Sequence, residues 1–115
     1  QALPIVEAIP LGREFYDFES RYTPGATDLR SPADLPPDVT EAVIEIALRC
    51  YRALGCRGFA RIDTILDGDG QAWVLELNTI PGLTDTSALP RAIEAAGMSF
   101  DDFIARVLDL AHLGA

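Results

Sequence analysis

Histidine and cysteine are nearly missing from this chain: His112 stands alone, and Cys50 and Cys56 are the two cysteines. A structural zinc centre takes four ligands, mostly Cys or His, so this supply argues against one. Two cysteines six residues apart, the first inside a helical pattern, also make a poor disulfide framework and read instead as small hydrophobes. Long hydrophobic runs are absent as well. No stretch approaches the ~18 apolar residues of a membrane span, and no basic segment precedes an apolar one as in a secretory signal. A cytoplasmic location with no membrane partner is the resulting expectation. Positive charge is scarce, with nine basic residues against eighteen acidic ones and a formal net charge of -9. Binding nucleic acid through its phosphates requires a basic surface, so nucleic acid is not an expected partner. A nucleotide is still compatible with this charge, because magnesium can sit between carboxylates and phosphates.

What is present is an ordinary globular mixture. The 115 residues, 49% apolar and 23% charged, suffice for one domain and one core. The chain opens on Gln1 rather than methionine, with Ile5 and Val6 already strand-like. It therefore reads as a fragment, residues 1–115 forming a single subdomain of something larger.

Residues 2–9 form a short apolar run closed by Pro10 and Gly12, which predicts a strand. From 13 to 37 the periodicity is lost. An aromatic and acidic cluster (Phe15, Tyr16, Asp17, Phe18, Glu19) gives way to Tyr22, Pro24, Gly25 and later prolines. A stretch this long without a period reads as a functional loop or lid. From Asp38, apolar residues at 39, 43, 46, 50 and 54 predict a helix stopped by Gly55. Two strands, 59–66 and 72–78, flank the turn signal Asp67-Gly68-Asp69-Gly70 and predict a hairpin. A turn-rich segment from 79 to 87 leads to a helix over 88–96 with Pro90 in its first turn and Gly97 at its end. Ser99 and Asp102 have the spacing of a capping box before a last helix carrying Phe103, Val107 and Leu110. The fold class is α+β, with helices packed on one face of an antiparallel sheet.

Strict alternation groups Phe59, Arg61, Asp63 and Ile65 on one face of the first hairpin strand. In the second it groups Ala72, Val74, Glu76 and Asn78 opposite Trp73, Leu75 and Leu77. Arg61, Asp63, Glu76 and Asn78 then gather on one side. Oxygen ligands of this kind suit magnesium, which takes few protein groups and keeps positions for water and phosphate. A polar solvent face with an incidental ion pair fits the same pattern, and spacing alone leaves both readings open. The turn after Asn78 is equally two-sided. Pro81-Gly82 is either a plain turn or a backbone N–H offered to a substrate oxygen, with Thr84, Thr86 and Ser87 as hydroxyl donors nearby.

The ordered runs from Tyr51 to Asp63 and from Val74 to Thr84, preceded by the Phe15 to Tyr22 segment and followed by Gly97-Met98-Ser99-Phe100, resemble the D-alanine:D-alanine ligase family of ATP-grasp enzymes. The resemblance implies the C-terminal subdomain of an ATP-dependent ligase that joins two D-alanines through an acyl phosphate, releasing ADP and phosphate. It implies that Asp63, Glu76 and Asn78 hold two Mg2+ ions, or Mn2+, with ATP, Glu76 being shared. It further implies that Arg61 and the Gly82 N–H stabilise the acyl phosphate and tetrahedral adduct. Tyr22 is implied to order a mobile loop over 13–37, and Ser87 to receive the second substrate's carboxylate. Phe15 and Leu75 are implied to pack the adenine, and Arg21 to stand where the family commonly has lysine. Strict alternation sets Leu75 opposite Glu76, so that role requires a bulge, a strong twist or an approach from the sheet edge.

Thr86 and Ala88 stand where the family often carries histidine and leucine, which loosens inference about the second-substrate pocket. The family's N-terminal and central segments are not in this sequence, and those segments, together with a second copy in a homodimer, are the implied partners. Two other readings are an ATP-grasp ligase with a different second substrate, such as D-lactate, and a noncatalytic interaction domain that retains the fold.

Overall fold

The protein is described by a computed structural model covering residues 1–10, 27–84 and 86–111. The chain falls into two compact units, one made mainly of Leu3–Asp34 with Gly82–Phe100 and the other mainly of Leu35–Pro81 with Asp101–Ala115.

In the second unit, helix α1 (Pro37–Ala53) begins with proline at its first helical position, where the absent N–H would have lacked a helical partner in any case. Asp38 in its first turn and Arg52 in its last both suit the helix dipole. Gly55, at φ +63°, lets the chain leave the helix. Its N–H bonds the Arg52 carbonyl at 3.0 Å and the Cys56 N–H bonds that of Tyr51 at 3.0 Å, the paired bonds of a Schellman termination. The Tyr51 hydroxyl donates to the Gly58 carbonyl at 2.7 Å and fixes the exit.

The inward face of α1 buries Val43 and packs against β3 (Arg61–Leu66) and β4 (Ala72–Asn78). These strands pair antiparallel as the expected hairpin. Helix α3 (Phe100–Leu110) buries Phe103, whose ring meets that of Phe59 edge-on at 5.6 Å and 66°.

One side chain organises the hairpin turn. Asp67 Oδ1 accepts the N–H groups of Asp69 and Gln71, each at 2.9 Å, and Oδ2 accepts the Trp73 indole N–H at 3.0 Å. The indole bond first, and the Gln71 bond after it, hold this carboxyl below its ordinary pKa of 3.8.

The other unit contains β1 (Glu7–Pro10) paired antiparallel with β2 (Thr27–Arg30), Glu7 opposite Arg30. The Ser31 hydroxyl and the Ala33 N–H both donate to the Ile5 carbonyl, at 3.0 and 2.8 Å. Helix α2 (Ala88–Ala95) packs against β2 and supplies the buried Leu89, Ala92 and Ile93. It closes on Gly97, at φ +75°, with a second Schellman pair from Gly97 to Glu94 and from Met98 to Ile93. β2 corrects the aperiodic reading of 13–37. Thr-Asp-Leu-Arg offers no apolar alternation, and its register is held by backbone bonds to β1.

Phe103→Ala should lower unfolding free energy by about 3–5 kcal/mol in a urea titration, since it removes a buried aromatic ring and its partner's edge contact. Asp67→Ala should lower the melting temperature at neutral pH. A carboxyl whose pKa is depressed in the folded state contributes stability above its unfolded pKa and loses it as pH falls through the folded value. The gap between variant and parent, followed by thermal melts, should therefore hold above pH 3.8 and close below it.

Candidate functional site

Backbone pairing decides which polar groups meet. Asp63 lies directly opposite Glu76, and Arg61 opposite Asn78. Directly paired residues share a face of an antiparallel sheet, so these four side chains stand on one side of the hairpin, as the sequence pattern predicts.

The rest of β4 departs from that pattern. Between the pair Asp63–Glu76 and the pair Thr64–Val74 the register shifts, and Leu75 is the extra residue. A bulge sets two residues of one strand against one of the other and breaks the two-residue alternation. Val74 therefore joins Thr64, Ala72 and Leu77 on the opposite face. Trp73, paired with Ile65, stands on the face that carries Asp63 and Glu76. Grouping Ala72 and Val74 with Glu76 and Asn78 is thus corrected, because a single inserted residue inverts every assignment beyond it. Leu75 lies in the bulge and is 61% exposed.

Within the cluster, Arg61 Nε donates to Asp63 Oδ1 at 2.7 Å and Nη2 to Oδ2 at 3.3 Å. Nη2 also lies 3.5 Å from Glu76 Oε1. The guanidinium thus bridges both carboxylates, and the Arg61 and Asp63 side chains are about a quarter exposed against about half for Glu76. Asn78 Oδ1 accepts the Ile80 N–H at 2.8 Å, which fixes the chain's path out of β4.

These donors retain capacity for a cation. An ionised carboxylate has about four lone-pair positions and an amide oxygen two. Arg61 uses one on each Asp63 oxygen, and Ile80 uses one on Asn78. Among the described residues no three His, Cys, Asp or Glu side chains gather, and the oxygen ligands that strand pairing brings to this face are two carboxylates and one amide. Such a sparse set fits magnesium, which leaves much of its coordination to water and phosphate, and does not fit a closed structural zinc site.

In the other unit, the turn over 82–87 forms a second cluster. Ser87 precedes α2 as its N-cap residue, yet its side chain makes no capping bond. Ser87 Oγ instead accepts the Thr84 N–H at 3.2 Å and lies 2.8 Å from Thr84 Oγ1, which is 3.2 Å from Thr86 Oγ1. The Ser87 N–H closes the turn on the Thr84 carbonyl at 2.9 Å. A Cβ at Gly82 would meet Ser87 Oγ at 2.6 Å, so a side chain there would require that hydroxyl to move. Phe15, Arg21 and Tyr22 lie outside the described residues. The bulge and the Asp67–Trp73 bond are what sequence pattern missed. The only available signal was the misfit of Leu75 with alternation.

A family profile described as "D-ala D-ala ligase C-terminus" matches residues 1–109. The D-alanine–D-alanine ligase of Desulforudis audaxviator is 51% identical over 112 residues, covering 97% of this chain and 36% of that protein. The ligase of Gloeobacter violaceus is 45% identical over 107 residues, covering 93% and 35%. A crystal structure of the Bacillus anthracis D-alanine–D-alanine ligase complexed with ATP superposes with a TM-score of 0.75 at 31% identity, over 94% of this chain and 33% of that one. The chain therefore spans about a third of the length of the relatives it matches. Among the described residues two antiparallel sheets and three helices give an α+β arrangement with the C-terminal ATP-grasp fold of these ligases, and the chain belongs to the D-alanine–D-alanine ligase C-terminus family.

Proposed function

We propose that residues 1–115 are one catalytic subdomain of an ATP-dependent ligase that joins two D-alanines into D-alanyl-D-alanine with release of ADP and phosphate. The observation that carries this reading is the direct pairing of Asp63 with Glu76, bridged by Arg61, in a chain of this family. The relatives are named for that reaction, and a solved neighbour is described as complexed with ATP. The rest of such an enzyme and a second copy of it are the proposed partners, and the cytoplasm is the proposed location. Among the described residues no helix is long and apolar enough to cross a membrane.

A carboxylate is inert toward an amine until it is activated, so the first D-alanine takes the γ-phosphoryl group of ATP to give an acyl phosphate. The amine of the second then attacks the carbonyl carbon, and phosphate leaves. Catalysis of this kind rests on positioning and charge neutralisation. Asp63, Glu76 and Asn78 are the residues that would hold two Mg2+ ions, or Mn2+, whose chemistry would be neutralisation of the phosphate oxygens. Arg61 places a permanent cation beside those carboxylates and donates to the oxygens that gain charge during transfer and addition. A lysine there would lack the planar fork that serves two acceptors at once. The Gly82 N–H is assigned to the oxyanion of the adduct and Ser87 to the carboxylate of the second D-alanine. Leu75 and Phe15 pack the adenine, with the bulge releasing Leu75 from alternation. Residues 13–37, with Arg21 and Tyr22, form the segment that keeps water from the acyl phosphate.

D-alanine-dependent ADP release by the complete ligase should fall at least about 100-fold in Asp63→Asn and Glu76→Gln, with a higher magnesium requirement in both. Parental rates and magnesium dependence in both variants would refute the metal assignment. Residues 1–115 alone should show no appreciable ADP release, and turnover should return when the upstream segments are added.

A further inference from the structure

The hydroxyl cluster on the 82–87 turn can run in either of two directions, and its role in the turn does not choose between them. A serine hydroxyl has one proton to give and two lone pairs to fill. One lone pair of Ser87 Oγ is taken by the Thr84 N–H at 3.2 Å. The 2.8 Å approach of Thr84 Oγ1 is a second hydrogen bond, which can run either way. Thr86 Oγ1 lies 3.2 Å from Thr84 Oγ1 and can donate to it, leaving Thr84 free to donate onward to Ser87. With that polarity both Ser87 lone pairs are filled, and its proton is the one hydrogen of the relay without an acceptor among the described residues of the turn.

The alternative polarity spends the Ser87 proton on Thr84 and leaves a lone pair facing outward. The two arrangements recognise opposite ligands: the first suits an anion, the second a donor. Ser87 is also withheld from the usual task of an N-cap residue, since its side chain makes no bond to the first turn of α2. The partial positive charge of that turn therefore keeps no side-chain oxygen from this residue and disfavours an approaching donor. Gly82 permits the arrangement, because any side chain there would meet Ser87 Oγ.

We propose that Thr84 is a positioning residue that makes Ser87 an obligate hydrogen-bond donor, with Thr86 polarising it from the far end, and so sets the preference of the second-substrate subsite for a carboxylate. This rests on the assignment of Ser87 to the second D-alanine's carboxylate made above. Thr84 touches no substrate in this account. It acts by filling the lone pairs of Ser87 and holding its rotamer, and hydrogen bonds in such a chain reinforce one another.

The test uses the complete ligase with D-alanine varied at saturating ATP, the two D-alanine subsites being separated kinetically. Thr84→Val keeps the shape and removes the hydroxyl, whereas Thr84→Ser keeps the hydroxyl. Thr84→Val should raise KM for the second D-alanine on the order of tenfold, with the change in KM rather than kcat. Thr84→Ser should restore it to within about twofold, and Thr86→Val should give a smaller rise of the same kind. A purely structural role for Thr84 would move the melting temperature and both KM values together. An unchanged second-substrate KM in Thr84→Val, or equal impairment in Thr84→Val and Thr84→Ser, would overturn the proposal. Ser87→Ala separates the two levels of the argument. If it raises the second KM while Thr84→Val does not, only the relay fails, and if it leaves that KM unchanged, the assignment of Ser87 fails as well.

Discussion

The pairing of Asp63 with Glu76 across the hairpin is the constraint on which the candidate site depends. Two carboxylates at directly opposed positions repel unless a cation lies near them. Arg61, two residues earlier on the same strand and therefore on the same face, supplies one through both Asp63 oxygens and through Glu76. The same geometry that balances the charges within the chain is the one that would receive a divalent ion and a phosphate.

Secondary structure serves this pairing at each level. Helix α1 supplies an apolar surface for the hairpin, and Arg61, Asp63, Glu76 and Asn78 share one face of β3 and β4. Asp67 closes the turn with three hydrogen bonds and so limits slippage at the hairpin end. A one-residue slip would carry every side chain of a strand to the wrong face. The bulge at Leu75 is a controlled version of that slip, placed so that Glu76 and Asn78 keep their partners while residues 72–74 change sides.

Much of this was legible in the sequence, for physical reasons that differ by element. Helix α1 was marked by apolar recurrence at 39, 43, 46 and 50 and by Gly55, and the hairpin by Asp67-Gly68-Asp69-Gly70 between β-branched runs. In both, local preference and burial agree. Strand β2 carried no such mark, because its partner is β1, some twenty residues earlier, and the bonds between them are made by the backbone. The facing of Arg61, Asp63, Glu76 and Asn78 was readable from alternation. The facing of Trp73 and Val74 was not, since alternation along Ala-Trp-Val-Leu-Glu is unbroken and only the misfit of Leu75 pointed to an irregularity. The hydroxyls at 84, 86 and 87 could be named from sequence, but their mutual order needed coordinates.

Trp73 shows what the bulge brings about. It is the chain's only tryptophan, it is 58% exposed, and the register shift has turned it onto the face that holds Asp63 and Glu76, with its indole nitrogen tethered at the turn. An intrinsic chromophore thus stands on the same surface as the carboxylates and responds to the polarity around it. The fold has in effect installed its own optical gauge of whatever comes to lie along that strand pair.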